Sequence, residues 1–281
     1  MSKNRNVTVS MIQICADDDD RAANVAKVLE YLRIAGDRGS QIVALPEVWT
    51  GTGFSRDGRL KEIADTIPGD VTGALSEKAR EYGMYIVGSI YEKGEDGKYY
   101  NTAPVIGPTG DVVAKYRKTH LYDGEGRVDL PSILNESRKV SAGDQFTLVD
   151  SNICRFGVAI CSDIRFPEIF RQYALSGAEM VILPTAFLSP RVDHWEFLIK
   201  ARACDNQIFL VATGMAGKEK HSGIAYVGRS AVVDPWGVVQ ACCNDREVCT
   251  TTVVDLDYVR EVRSWWPLNQ QRRPEMYKAL V

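Results

Sequence analysis

The sequence predicts an α/β fold in which two similar halves pack as a four-layer α-β-β-α sandwich. Residues 39–49 align with residues 177–187, and the pairs share glycine, valine, leucine and proline at matching positions. Residues 101–114 align with residues 228–241, with a proline and a glycine in each turn. A sheet with helices on one face leaves an apolar face uncovered, and two such halves bury those faces against each other. Chance likeness between two βαβ units is the alternative explanation.

Hydrophobic periodicity predicts the elements of each half. Residues 21–38 carry apolar side chains at helical spacing and end at a glycine, and short apolar runs between turn residues predict strands. In the first half we expect strands at 7–14, 41–45 and 84–90, helices at 21–38 and 71–82, and a hairpin over 101–116. In the second half we expect strands at 155–160, 179–183 and 208–213, helices at 167–176 and 193–205, and a hairpin over 230–241. A polar connection, 123–144, joins the two halves.

Composition limits the function classes. The chain has 281 residues, of which 45% are hydrophobic and 25% charged, and we expect one domain over residues 1–281. The net charge of −3 argues against a nucleic-acid partner, and no apolar run is long enough for a membrane span or a signal peptide. Seven cysteines at irregular spacing predict free thiols in a reducing, cytoplasmic compartment.

Residues 155–168 are the centre of the functional interpretation. An apolar strand ends at Cys161, and Pro167 is placed where the first turn of a helix is expected. A thiol at such a strand end is held above the sheet edge, beside the backbone N–H groups of the next residues. That geometry suits a nucleophile next to an oxyanion site. A buried structural cysteine is the alternative.

Four other side chains are candidates for the same site. Glu47 follows a buried strand and could act as a general base, or be an exposed loop acid. Lys118 could lower the pKa of the thiol and stabilise an oxyanion, or belong to a solvated basic surface. Arg165 could bind a substrate carboxylate, or form a salt bridge at a helix end. Glu136 is a second carboxylate with a weak local signal. The three histidines lie in no spacing typical of a metal or protease site.

Three segments together resemble the catalytic blocks of the nitrilase superfamily of carbon–nitrogen hydrolases. They are Leu45-Pro46-Glu47, residues 116–121 and residues 160–168, in that order along the chain. The resemblance runs from the first predicted strand to residues 272–277. It implies the α-β-β-α sandwich, no metal or organic cofactor, and a homodimer or higher even homo-oligomer with the tail, about residues 256–281, at an interface.

The resemblance also implies a role for each candidate. Cys161 is the expected nucleophile, Glu47 the general base and Lys118 the group that stabilises the tetrahedral intermediate. Glu136 matches an accessory glutamate beside this triad, and the backbone N–H of Ser162 is expected to complete the oxyanion hole.

The residues after the nucleophile narrow the expected substrate. Cys161-Ser162-Asp163 resembles the corresponding residues of the amidase branches, whereas true nitrilases have a sequence similar to Cys-Trp-Glu there. The sequence is most similar to the omega-amidase type, which hydrolyses monoamides of small dicarboxylic acids and in which Arg165 and Phe187 match acyl-pocket positions. Residues 51–54 depart from that type, because they hold no tyrosine. We therefore expect a small-molecule amide as substrate. An N-carbamoyl-amino-acid hydrolase is the alternative, and a nitrilase or a non-catalytic scaffold is disfavoured.

Overall fold

Strands and helices alternate along the chain in the computed structural model, which describes residues 5–17, 20–52, 58–123 and 135–277. The strands are β1 (Asn6–Gln13), β2 (Ile42–Ala44), β3 (Tyr85–Val87), β4 (Ile90–Lys93), β5 (Tyr99–Ile106), β6 (Val112–Arg117), β7 (Thr147–Asp150), β8 (Arg155–Val158), β9 (Met180–Thr185), β10 (Phe209–Gly214), β11 (Ala216–Lys218), β12 (Ala225–Val227), β13 (Ala231–Val233), β14 (Val239–Cys242) and β15 (Val248–Asp255). The α-helices are α1 (Arg21–Asp37), α2 (Leu60–Ile63), α3 (Asp70–Tyr82), α4 (Pro167–Leu175), α5 (Val192–Asn206), α6 (Asp257–Trp265) and α7 (Pro274–Tyr277). Two 3₁₀ helices, Glu136–Arg138 and Cys161–Arg165, complete the set that the site uses.

Two sheets form the centre of the molecule, and their strand orders match. The first runs β15-β1-β2-β3-β5-β4, with β6 also beside β5, and the second runs β14-β13-β10-β9-β8-β7. In each sheet three parallel strands are followed by an antiparallel hairpin, so that β1, β2 and β3 correspond to β8, β9 and β10. The edge strands β15 and β7 pair antiparallel with β1 and β8. This arrangement confirms the predicted fold class and its repeat.

Alternation along the strands separates two apolar layers. In β2, Ile42 and Ala44 belong to a core shared with the second sheet, whereas Val43 and the following Leu45 pack with the residues of α1 and α3. Strands covered on both faces read as continuous apolar runs, which is why β2 is apolar throughout. The carboxyl ends of β2 and β8 thus reach the same region of the molecule from opposite sheets.

Several elements differ from the expectation. The strand expected over residues 84–90 ends at Val87, and Ile90 begins a separate antiparallel strand, β4. The sequence interpretation assigned no structure to β7, β11, β12, β15 or α6. Strand β15 pairs with β1 along its whole length, from Asn6 opposite Asp255 to Gln13 opposite Val248, across more than 200 residues of chain. Such long-range pairing leaves little local pattern. None of the helices that the structure describes is long and apolar enough to cross a membrane.

Candidate active site

Cys161 sits on a tight turn between β8 and a 3₁₀ helix. Its backbone φ is +45°, a left-handed conformation that is uncommon outside glycine and is found at constrained functional positions. The carboxylate of Asp163 accepts a hydrogen bond of 2.8 Å from the Ile160 N–H, and the Asp163 N–H donates to the Ile160 carbonyl at 3.0 Å. These reciprocal bonds hold the turn that presents the thiol.

The same aspartate ties this turn to the segment that carries Lys118. Asp163 is fully buried, and its carboxylate accepts from the Tyr116 hydroxyl at 2.8 Å and from the His120 N–H at 3.1 Å. The imidazole Nδ1 of His120 lies 2.8 Å from the same carboxylate. The Ser162 hydroxyl donates to the His120 carbonyl. The nucleophile's turn and the lysine segment are therefore fixed relative to each other.

Glu47 is held through both carboxylate oxygens. It follows β2 by three residues and is 5% exposed. Its Oε1 accepts from the Lys118 ammonium and from the Asn101 amide, each at 2.8 Å, and its Oε2 accepts from the Ala186 N–H at 2.8 Å. The position of the carboxylate is thus set by three different segments of the chain.

Lys118 lies between two carboxylates. Its side chain is 2% exposed, and its Nζ is 2.8 Å from Glu47 Oε1 and 2.7 Å from Glu136 Oε2. Glu136 also accepts hydrogen bonds from the Asn101 amide at 2.9 Å and from the Tyr122 N–H at 2.8 Å. With both carboxylates ionised, the cluster has one negative charge in excess.

Burial and this excess charge both favour the neutral form of the Cys161 thiol. Burial and the negative charge of Glu47 raise the pKa of Cys161 well above its ordinary value. The ammonium of Lys118 lowers the pKa of the thiol, as the sequence interpretation expected, but burial and Glu47 outweigh it, so the net shift is upward. Burial disfavours the Lys118 ammonium, yet the charges of Glu136 and Glu47 raise its pKa well above ordinary. The resting pair is a neutral thiol beside a carboxylate.

One cavity of about 120 Å³ joins these groups. All the candidate site residues from the sequence line it: Glu47, Lys118, Glu136, Cys161, Ser162, Arg165 and Phe187. Phe187 is buried against Trp195, with ring centroids 5.4 Å apart, and the exposed Arg165 guanidinium lies 5.3 Å from the Phe187 ring. In the part of the chain that the structure describes, no group of three or more His, Cys, Asp and Glu side chains could hold a metal ion.

Comparison with known proteins assigns the family. A family model described as carbon–nitrogen hydrolase matches residues 8–264. The chain belongs to the carbon–nitrogen hydrolase family. This confirms the enzyme class that the three sequence blocks implied.

Individual carbon–nitrogen hydrolases are similar over nearly the whole chain. The omega-amidase NIT2-B of Xenopus laevis is 38% identical over 263 residues, and the human omega-amidase NIT2 is 37% identical over 260 residues, each match covering 92% of both chains. Among solved structures, Saccharomyces cerevisiae Nit3, a member of branch 10 of the nitrilase superfamily, superposes with a TM-score of 0.84 at 29% identity and covers 95% of this chain and 97% of that one. The suspected superfamily is thereby confirmed.

Sequence reasoning missed three groups that organise this carbon–nitrogen hydrolase site. Asn101 is buried in β5 and bridges Glu47 and Glu136, and its signal in the sequence was an amide side chain in a mostly apolar strand. Asp163 was noted only as part of a motif. Arg191 lines the cavity, but it lies in no sequence motif that would have pointed to a role.

Proposed function

We propose that this protein hydrolyses the C–N bond of a small, carboxylate-bearing amide through a thioester on Cys161, releasing ammonia or an amine. One observation carries the proposal: the Glu47 carboxylate, which accepts a hydrogen bond of 2.8 Å from the Lys118 ammonium, lines one cavity together with Lys118 and Cys161. The similarity to omega-amidases supports an amide as the substrate.

The neutral thiol determines the first step. Glu47 takes the proton of Cys161 as the sulfur attacks the amide carbon, and the carbonyl electrons move to the oxygen. The Lys118 ammonium and the backbone N–H of Ser162 stabilise the negative charge on that oxygen, as preorganised donors do in a site with little water. No free thiolate has to exist before the substrate binds.

Collapse of the tetrahedral intermediate completes acyl transfer. The C–N bond breaks, the leaving nitrogen takes the proton held by Glu47, and the acyl group remains on Cys161 as a thioester. Water then attacks the thioester carbon while Glu47 accepts its proton. The C–S bond breaks, the sulfur recovers that proton, and the carboxylic acid product leaves.

Two residues support this chemistry without reacting. Glu136 and Asn101 hold the Lys118 ammonium and the Glu47 carboxylate at hydrogen-bond distance. The second carboxylate keeps Lys118 protonated, since its charge raises the pKa of the ammonium. Lys118 therefore acts as a fixed cation, while Glu47 is the group that transfers protons.

The outer wall of the cavity determines which acyl group the substrate can carry. Phe187 supplies an apolar face for the carbon chain of the substrate, and Arg165 supplies a guanidinium that can bind a carboxylate through two hydrogen bonds. This arrangement suits an amide whose other end carries an acid.

The proposal extends to assembly and compartment. We expect residues 1–281 to act as one domain in an even homo-oligomer, with residues 256–281 at an interface. Trp265 and Trp266 are 59% and 50% exposed and lie against Trp236, which forms an exposed aromatic surface at the end of α6. The seven cysteines are all free, in keeping with a reducing, cytoplasmic compartment. Sedimentation of the purified protein tests the even oligomer, which a monomer at all concentrations would contradict.

A release assay tests the activity. Ammonia and carbon dioxide are measured with acidic, neutral and basic amides, carbamoyl compounds and nitriles, using Cys161→Ala as the control. We expect ammonia without carbon dioxide, most rapidly from acidic amides, and no release by Cys161→Ala. Carbon dioxide released together with ammonia would favour the N-carbamoyl hydrolase, and release from no amide would contradict the proposal.

A further inference from the structure

Arg191 is a second arginine at the cavity that holds Cys161. It lines that cavity together with Arg165, and its side chain is half-buried at the start of helix α5. The proposed mechanism gives Arg191 no role.

Arg165 and Arg191 differ from a neighbouring arginine in their ion pairing. Among the described residues, neither Arg165 nor Arg191 has a carboxylate within ion-pair distance. A comparable arginine close to the same helix, Arg229, is paired with Glu196 at 2.7 Å and with Asp245 at 3.3 Å. The two arginines of the cavity therefore keep their charge available to a ligand.

Helix α5 does not explain Arg191. The N-terminus of a helix carries partial positive charge, so a basic residue there is mildly unfavourable, by about 0.3–1 kcal/mol. Arg191 occupies the N-cap position and makes no side-chain capping hydrogen bond. Its charge is thus placed against the local preference of the helix, at the mouth of the site.

The backbone of Arg191 is firmly placed relative to the base. The segment that contains it begins at Ala186, whose N–H donates to Glu47 Oε2 at 2.8 Å. The Phe187 carbonyl accepts from the Val227 N–H at 2.9 Å, and the Ser189 N–H donates to the Ala225 carbonyl at 2.9 Å. One short segment thus connects the carboxylate that receives the proton with the guanidinium at the mouth.

The charges of the cavity are therefore separated. The buried end has two carboxylates and one ammonium, whereas the more exposed lining includes Lys139 and the two arginines, and for both arginines the described residues provide no carboxylate partner. This separation repels an acid from the reacting thiol and attracts it to the mouth, so that an amide with a distal carboxylate enters with its amide end inward.

We propose that Arg191 determines specificity by sharing with Arg165 the binding of the substrate's distal carboxylate. The inference rests on the proposed amidase function and adds a residue that sets the preference for anionic amides over neutral ones. Two guanidinium groups on one carboxylate also exclude a positive charge at that end of the substrate.

The test uses two amides of equal chain length. Glutaramate has a terminal carboxylate, and pentanamide has a methyl group in its place. For Arg191→Gln we expect the ratio of kcat/KM for glutaramate to that for pentanamide to fall roughly tenfold or more, mainly through KM, because a hydrogen bond to a charged group is lost. Arg191→Lys should restore part of the ratio, and the wild-type KM for glutaramate should rise with salt more steeply than that of Arg191→Gln.

A surface arginine provides the control. Arg33 on α1 is paired with Glu30 and Asp37 and is 47% exposed, so Arg33→Gln should leave the ratio at the wild-type value. If Arg191→Gln keeps the wild-type ratio, or lowers kcat/KM equally for both amides, the inference is wrong while the proposed function stands. If wild-type protein does not hydrolyse glutaramate faster than pentanamide, this inference is wrong, and if it hydrolyses no amide of the release assay either, the proposed function fails as well.

Discussion

Two clusters in which acidic side chains with little exposure bind basic ones lie beside strand β6, and their charge balances are opposite. In the first, which we call the Glu92 cluster, the 2%-exposed side chain of Glu92 binds Lys115 at 2.7 Å and Arg117 at 2.8 Å, and both bases reach solvent. In the second, the Lys118 cluster, one buried ammonium lies between Glu47 and Glu136. One cluster has a surplus of positive charge, the other a surplus of negative charge.

The difference separates structural stabilisation from chemistry. Burial alone would raise the pKa of Glu92, but Arg117 and Lys115 outweigh it and lower that pKa to about 2. The carboxylate of Glu92 is thus committed to its ion pairs. In the Lys118 cluster burial and the charge of Glu47 instead raise the pKa of Cys161, and the Glu47 carboxylate is left ready to accept the thiol proton. The excess of acid over base thus distinguishes the Lys118 cluster, which contains the proposed base, from the Glu92 cluster.

The largest expected effect distinguishes two adjacent basic residues. Lys118→Met leaves the buried Glu47 and the partly buried Glu136 without a cation, which should cost about 3–5 kcal/mol of stability. It should also lower kcat about 10²–10³-fold, since an oxyanion donor is lost. Arg117→Met leaves Glu92 with Lys115 and Thr102 and should cost about 1 kcal/mol. Urea unfolding and amide turnover measure both.

A third variant, Lys118→Arg, keeps the test valid if Lys118→Met does not fold. Lys118→Arg keeps a cation between the two carboxylates, so it should fold and retain part of the turnover. Equal losses of stability and turnover for Lys118→Met and Arg117→Met would contradict the distinction between the clusters.

The next effect concerns acid stability and the Glu92 cluster. Because the pKa of Glu92 falls from its ordinary 4.5 to about 2 on folding, its contribution is present above pH 4.5 and disappears as the pH falls to 2. The unfolding free energy of wild type should exceed that of Glu92→Gln by up to about 3 kcal/mol at pH 7, and by little near pH 2. Denaturant unfolding at several pH values measures this difference.

An exposed glutamate provides the matched control for acid stability. Glu62 pairs with Arg59 at 3.6 Å with both side chains more than 40% exposed, so Glu62→Gln should change the unfolding free energy little at any pH. A Glu92→Gln difference that stays constant from pH 7 to pH 2 would refute the assignment.

A smaller loss of stability and turnover is expected from a change at Asp163, which joins the turn of Cys161 to the segment of Lys118. Asp163→Asn replaces one acceptor oxygen by a donor among the N–H groups of Ile160 and His120, which should cost about 1–3 kcal/mol. Because the turn of Cys161 shifts, we expect kcat to fall about tenfold with KM nearly constant. The exposed acid Asp150 gives the control Asp150→Asn. A rise in KM with unchanged kcat would show that Asp163 does not position the nucleophile.

Strand ends made part of this site predictable from sequence. Glu47 follows β2 and Cys161 follows β8, and the carboxyl ends of parallel strands gather functional groups. The burial of Lys118 was also encoded, because alternation along β6 puts it on the same face as the buried Tyr116, opposite Lys115 and Arg117. The neighbouring basic residues Lys115 and Arg117 made Lys118 look like part of a solvated surface, so this alternation was overlooked.

Other parts could not be derived from local pattern. Asn101 acquires its role only when β5 brings it between Glu47 and Glu136, which are 54 and 35 residues away in the chain. The net direction of the Cys161 pKa depends on burial and on the balance between Glu47 and Lys118, a sum that only the folded arrangement determines.

A covalent acyl-enzyme on Cys161 is the most direct test of the account. Wild-type protein is mixed with an amide that releases ammonia, quenched in acid within the first turnover, digested and analysed by mass spectrometry. We expect the acyl mass on the peptide that contains Cys161, lost on treatment with hydroxylamine, and no adduct in Cys161→Ala. Turnover with no adduct on this peptide, or with the acyl group on another residue, would contradict the account.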